Sequence, residues 1–243
     1  MSGNPRRIEL ALGYLLHHRP WRDTSRILEV MTREHGRLTL FARGVRGPAA
    51  KLAPVLQPFQ PLLFSWAGRG EAPALTGAER AGAATAALPA TCLMAGFYLN
   101  ELLLKLTTRH DPQPQLFDHY HQALAGLASP ATLEASLRLF ELRLLTVLGY
   151  GLDLTTEVRS GAPVGLDAFY VFRSSQGLVR CARGDAGAIC GASLIDLVAG
   201  DLKSARTLED ARGLLKAALA ACLEGRPLAT RTVARAMARR RAS

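Results

Sequence analysis

Residues 25–43 read Ser25-Arg26-Ile27-Leu28-Glu29-Val30-Met31-Thr32, Arg33-Glu34-His35-Gly36, then Arg37-Leu38-Thr39-Leu40-Phe41-Ala42-Arg43. Two extended runs meet at a tight Glu34-His35-Gly36 turn. The second run alternates: Leu38, Leu40 and Ala42 share one side, while Arg37, Thr39, Phe41 and Arg43 share the other. Upstream of this hairpin, Ile8, Leu10, Leu12, Tyr14 and Leu16 alternate as a first strand, joined to it by a polar loop from His17 to Thr24. Downstream, a basic Gly/Pro-containing loop, Gly44–Pro54, leads into two further strands, Leu56–Ala67 and Pro73–Thr76, around Gly68-Arg69-Gly70. Five short strands in about seventy residues are too few to bury two separate sheets. They predict a small closed barrel of OB or SH3 type.

After Gly77 the apolar period becomes helical. Pro89–Thr108 carries Leu93, Phe97, Leu102, Leu103, Leu104 and Leu106, and ends at Arg109-His110-Asp111-Pro112. Gln115–Leu127 reads as a second helix. Ser129-Pro130 supplies N-cap and first-turn residue types for a third, which runs to Leu148 and stops at Gly149. These three segments are expected to pack as a bundle. Residues 150–192, rich in Gly, read as an inserted loop subdomain with one short strand, Phe169–Phe172. Helices resume over Leu194–Ala199, Leu208–Leu223 and Ala229–Arg241. The expected fold class is α+β: a barrel over residues 1–78 and a helical domain over 79–243, with the loop subdomain at 150–192.

The 243 residues, 49% hydrophobic, support a buried core. No run of eighteen apolar residues and no leader-like N-terminus appear, so the expectation is a soluble cytoplasmic protein. Four cysteines (Cys92, Cys181, Cys190, Cys222) lack paired spacing, which suits a reducing compartment. The net charge of +10 is unevenly placed. Residues 1–70 hold 11 Lys+Arg against 4 Asp+Glu, residues 71–225 hold 13 against 16, and residues 226–243 hold 6 against none. Only 4 of the 30 basic residues are Lys, as GC-rich coding would produce, but codon bias does not explain the placement. Two basic segments around a slightly acidic middle point to local polyanion contacts, with nucleic acid the first candidate.

The sequence holds no P-loop, dinucleotide fingerprint, H-E-x-x-H or nucleophile-elbow pattern. Asp118-His119-Tyr120-His121, with His110 before it, is the nearest approach to a metal cluster. On a helix, however, residues two apart face different ways, and a solvated face is the expectation. No catalytic residue, metal or cofactor is therefore assigned. The polar side of Arg37–Arg43 sets the Phe41 ring between two guanidinium groups, the combination that stacks a base while neutralising phosphates; Phe41 packed beneath another element is the alternative. Arg46 and Lys51 continue the basic run. In the tail, Arg231, Arg235 and Arg239 recur every four residues as one ridge, with Leu228, Val233 and Met237 as a thin apolar side. Such a helix suits phosphates, an acidic peptide or, less well, an anionic membrane surface.

Three blocks in order carry a resemblance. Thr24 to Arg37, then Phe41-Ala42-Arg43-Gly44-Val45-Arg46-Gly47 and Leu56-Gln57-Pro58-Phe59, resembles the N-terminal barrel of the RecO family of recombination mediators. Phe140-Glu141-Leu142-Arg143-Leu144-Leu145-Thr146-Val147-Leu148-Gly149-Tyr150 is similar to the family's bundle helix, and Gly225-Arg226-Pro227-Leu228 with Arg231 to its C-terminal signature. The resemblance implies an OB barrel, binding of single- and double-stranded DNA, annealing without catalysis, and a nucleoid-associated role in the RecF pathway. It also implies work with RecR and with the acidic C-terminal tail of single-stranded-DNA-binding protein, so that RecA loads on gapped DNA. Many members carry a zinc site of two C-x-x-C pairs. Here Gly151–Val158 has no Cys and the second pair reads Cys181-Ala182-Arg183-Gly184, which suggests a branch without the metal. A nucleic-acid-modifying enzyme using the barrel as a clamp, and a basic scaffold that binds only proteins, are the alternatives.

Overall fold

The computed structural model describes residues 7–46, 51–82, 87–150, 152–174 and 176–242. Five strands open the chain: β1 (Arg7–Trp21), β2 (Ser25–Thr32), β3 (Gly36–Ala42), β4 (Pro61–Ala67) and β5 (Ala74–Arg80). They follow the ring order β1-β2-β3-β5-β4 and close a barrel. The antiparallel pairs are long, but the β3–β5 seam is one parallel pair, Phe41 with Ala74. This is the small, partly open OB-type barrel, so the sequence's OB-or-SH3 ambiguity resolves to OB.

β1 makes closure possible because its first half pairs with β4 and its second half with β2. At the crossover Gly13 faces both partners, and a Cβ there would lie 2.9 Å from the Met31 carbonyl oxygen, so no larger residue fits without a shift. Ala11 and Leu15 point into the barrel core with Leu28, Val30, Leu38, Leu40, Leu62 and Phe64. Tyr14 and Leu16 point outward into a second core shared with the helices. The strand is apolar on both sides because it lies between two cores. β1 also runs five residues past Leu16, through what the sequence suggested was a loop. A bulge between Leu15 and His17 restores the pairing, and Arg19 and Trp21 continue it opposite Ile27 and Ser25. Residues 56–60 are not strand as expected; β4 starts only at Pro61.

The helical body comprises α1 (Leu93–Leu106), α2 (Pro114–Gly126), α3 (Pro130–Val147), α4 (Gly191–Ala199), α5 (Ala205–Cys222) and α6 (Ala229–Ala242). The Ser129 hydroxyl accepts from the Ala131 N–H and Pro130 takes the first turn, as the residue types foretold. The helix stops at Gly149, whose φ of +76° Gly adopts without a Cβ penalty. Polar contacts bolt the barrel to the body. Asn100 on α1 donates to the Leu16 carbonyl at 2.8 Å and accepts from the Tyr120 hydroxyl at 2.5 Å. Arg33 grips Asp118 through two bonds of 2.9 and 3.0 Å, and the Tyr14 hydroxyl meets His121 Nδ1 at 2.5 Å. The Asp118–His121 face, expected to be solvated, is partly exposed and also meets the barrel through these two contacts.

The 150–192 segment is more ordered than its glycines implied. β6 (Phe169–Arg173) lies between β7 (Gly177–Cys181) and β8 (Ile189–Cys190) in a three-stranded sheet. Strands of five and two residues are too short to show a period in sequence, so only the first was legible. Cys181 and Cys190 both pair with Phe169, from opposite sides. Two strand spacings put their backbones about 10 Å apart, beyond the reach of one ion. Among the described residues no group of three or more His, Cys, Asp or Glu could hold a metal, so the family's zinc site does not fit here. A carboxylate links the same turns instead. Buried Glu157 accepts from Ser160 Oγ at 2.5 Å and from the Ser160 and Arg159 N–H groups, and Val158 N–H donates to the Leu178 carbonyl on β7.

Candidate nucleic-acid interface

Directly opposed residues in antiparallel strands share a face. Arg19 opposes Ile27 and Ile27 opposes Phe41, so these three form one row across the outer surface of β1, β2 and β3. Trp21, 43% exposed, opposes Ser25 and stands one row further out. Phe41 is half-buried, and the Arg43 guanidinium lies over its ring, 5.6 Å from the centroid. The Arg46 N–H donates to the Thr24 carbonyl at 3.1 Å and its guanidinium to the Arg22 carbonyl at 3.0 Å. Those two bonds pin the loop after β3 to the β1–β2 turn, gathering Arg22, Arg43 and Arg46 at one end of the barrel; Asp23 sits in the same turn. Lys51 is exposed on the same loop beyond residues 47–50, which lie outside the described residues. The result is an open strip in which aromatic rings alternate with guanidinium groups.

The near end of this face is closed, and Arg37 is corrected accordingly. Its side chain, 11% exposed, pairs with Glu29 at 3.0 Å and donates to the Thr107 carbonyl at 2.8 Å and hydroxyl at 3.1 Å. Arg109 adds a second cation on Glu29 at 2.5 Å. Burial lowers the Arg37 pKa, against the opposing pull of Glu29. The α1–α2 linker covers Arg37, so its charge holds the barrel to the helices and is not presented to a phosphate. Strand alternation placed it on the outer face correctly; nothing local foretold a cover from seventy residues away.

Arg19 and Trp21, by contrast, stand on this open face although the sequence reading put them in a loop. Pro20 within the run argued against a strand there. The alternation of His17, Arg19 and Trp21 was the available signal.

The tail helix is docked, not free. The Glu101 carboxylate on α1 accepts from the Ala229 and Thr230 N–H groups at 2.8 and 3.0 Å and from the Thr230 hydroxyl at 2.7 Å. Despite burial, which acts the other way, these bonds and Lys105 hold Glu101 below its usual carboxylate range. Leu228 is buried and Arg226 donates to the Lys105 carbonyl at 3.0 Å. Arg231 lies over the Tyr98 ring at 5.8 Å. The side chains of Arg235 and Arg239 lie outside the described residues, although their backbone continues the helix.

Between α6, α1, α3 and α5 runs a groove of about 400 Å³. Met94, Ala95, Tyr98 and Leu137 give it apolar walls; Arg138, Arg212, Lys216 and Arg231 are the cations. Beneath it Glu141, 1% exposed, accepts from the Tyr98 hydroxyl at 2.6 Å and Arg138 at 2.8 Å. Burial raises the Glu141 pKa, with Arg138 opposing. Arg212 is paired with Glu134. Arg138 Nε is buried without a hydrogen-bond partner among the described residues.

Two family profiles cover most of the chain: the recombination protein O N-terminal profile matches residues 9–83 and the C-terminal profile residues 91–232. The DNA repair protein RecO of Methylococcus capsulatus is 43% identical over 233 residues, 96% of each chain. That of Aromatoleum aromaticum is 42% identical over 229 residues, covering 93% of this chain and 95% of its own. That of Haemophilus influenzae is 39% identical over 223 residues, covering 92% and 94%.

Proposed function

The chain belongs to the RecO family of DNA repair proteins, and on that footing we propose that it binds DNA and anneals complementary strands as a recombination mediator, without catalysing a reaction. The observation that carries this reading is the open strip of Arg19, Trp21, Phe41 and Arg43 on the barrel, with Arg46 pinned at its end; we add exposed Lys51 from the loop that follows. Rings on a strand face take bases at little cost in sequence preference, and the flanking guanidinium groups take the phosphates. We take the chain to divide near residue 78, with 79–243 as the second unit and 150–192 inserted in it; the two family profiles, parted at residues 84–90, favour this. The role itself is read as nucleoid-associated, and no helix among the described residues is long and apolar enough to cross a membrane.

The groove beside α6 is the place we assign to the acidic C-terminal tail of single-stranded-DNA-binding protein. Apolar walls with Lys216 and Arg231 at the rim fit a short peptide carrying carboxylates and an apolar end. Cooperation with RecR, and RecA loading on gapped DNA, complete the reading by kinship with the family.

The test is a salt titration of single-stranded DNA binding together with annealing of complementary oligonucleotides, with no nucleotide or metal added. Affinity falling linearly in log-log form and annealing in that buffer support the reading. Salt-independent binding, or strict dependence on ATP or metal, would refute it in favour of a clamp-bearing enzyme. For the tail, changing Arg231, Arg235 and Arg239 together to Ala is expected to weaken acidic-peptide or DNA binding while lowering the melting temperature only slightly, through the lost contact of Arg231 with the Tyr98 ring. Loss of stability with unaltered binding would make the ridge structural.

A further inference from the structure

The barrel's seam is held by the single Phe41–Ala74 pair, so the β3 edge below it has no strand partner. The α1–α2 linker takes up part of that edge. Arg109 bridges Arg37 in parallel, and the His110 N–H donates to the Arg37 carbonyl at 2.8 Å. Asp111 then packs so closely on Gly36 that a Cβ there would lie 2.3 Å from the Asp111 oxygen. To make this turn His110 is held at φ +58°, a left-handed conformation that a non-glycine residue adopts at some cost. Between linker, seam and the β4–β5 loop a cleft of about 580 Å³ remains, within the range of small-molecule sites. Leu38 and Trp66 wall it, and His35, His110, Glu34 and Arg69 bring polar groups to it. The His35 ring meets the Trp66 indole edge-on, centroids 5.2 Å apart at 86°.

We propose that this cleft receives an unpaired nucleobase from a single strand held on the outer face, the base taking the place on the Trp66 indole that His35 now covers. The proposal rests on the DNA-binding reading and extends it. Pro73 connects the two surfaces: its carbonyl accepts from the Phe41 N–H at 2.9 Å, and it lines the cleft. A strand leaving Phe41 therefore reaches the cleft by rounding the loop from Gly68 to Pro73. There Arg69 meets the phosphate, and the Glu34 carboxylate accepts from an exocyclic amino group, which cytosine, adenine and guanine carry and thymine lacks.

Trp21 and Trp66 are the only tryptophans. In the Trp21→Phe protein, Trp66 emission therefore reports on the cleft alone, while the anisotropy of a labelled oligonucleotide in the same sample reports total binding. Dodecamers of deoxycytidine and of thymidine are the probes. Saturable quenching by deoxycytidine is expected at about threefold or more lower concentration than by thymidine. Glu34→Gln should erase that preference, and Arg69→Ala should remove most of the quenching while the anisotropy signal persists. Oligonucleotide binding with unchanged Trp66 emission, or full quenching in Arg69→Ala, overturns the cleft assignment alone. No anisotropy change with the Trp21→Phe protein or with the wild type would sink the outer-face reading and this one with it.

Discussion

Replacing Phe41 and Arg43 separately by Ala gives two different losses, whose sizes follow from where the two side chains sit. Phe41 is half-buried and outside the barrel core, against Ile27 across the strand and beneath the Arg43 guanidinium. Its truncation forfeits a cross-strand pair of about 0.2–1 kcal/mol and a cation–π contact of about 0.5–1 kcal/mol, so folding should weaken by about 1–2 kcal/mol. A core phenylalanine would cost about 3–5 kcal/mol. On DNA the balance differs. A base arriving at the ring adds stacking of about 1–3 kcal/mol by alanine substitution, a net figure in which the displaced guanidinium contact is already counted. Phe41→Ala should thus lower single-strand affinity by about 5- to 150-fold with little change in salt dependence. Arg43→Ala should instead reduce the slope of log affinity against log salt by about 0.7, one phosphate contact's share. Fluorescence anisotropy across a salt series and urea unfolding of both variants are the assays. Unchanged affinity in the first with an unchanged slope in the second would refute the assignment, as would a fold loss in Phe41→Ala of core size.

Three further outcomes are expected. Arg37→Ala should cost about 1–3 kcal/mol in urea unfolding, because the Thr107 carbonyl loses its donor and Glu29 keeps only Arg109, and it should leave the DNA salt slope at the wild-type value; a shallower slope would return Arg37 to the interface. Glu101→Gln should loosen α6, lowering stability by about 0.5–2 kcal/mol and raising hydrogen exchange at Ala229 and Thr230, and unchanged exchange there would contradict the cap. Elemental analysis should find no stoichiometric zinc, and the 150–192 sheet should instead be acid-sensitive. Hydrogen bonds from Ser160, foremost, hold the Glu157 pKa at about 2 against an ordinary 4.5. A depressed carboxylate stabilises the fold above its ordinary value and loses that contribution as pH falls from about 4.5 toward 2, so the protection of the Arg159–Ala162 amides, corrected for the intrinsic pH dependence of exchange, should fall over that window in the wild type and stay level in Glu157→Gln.

Local periodicity made most elements readable: the Glu34–Gly36 turn, the inward set Leu38, Leu40 and Ala42, the Ser129-Pro130 start and the Gly149 stop all fall where residue types put them. What escaped has a common cause, since each miss depends on a partner distant in sequence. Arg37 needed Thr107 and Arg109; Asp118 and His121 needed Arg33 and Tyr14. The second half of β1 needed β2 to continue pairing through Pro20, and β7 and β8 needed β6. A single chain read alone displays faces but not what covers them. Hence Phe41 and Arg43 were read onto the barrel's outer face together with Arg37, which the linker conceals.

That concealment also bears on how the protein works. Along one outer face the row at Glu29 is locked by two arginines from β3 and the linker, while the rows at Ile27 and Ser25 stay open with Arg19, Trp21, Phe41 and Arg43. The locked row fixes the barrel's orientation on the helical body, reinforced by Arg33–Asp118 and by Asn100 between Leu16 and Tyr120. These contacts tie the barrel that bears the strip to the helical body that bears the α6 groove. On the proposed function, a tail peptide in the groove and a strand on the strip would then be carried by one connected unit, the locked row at Glu29 joining the two.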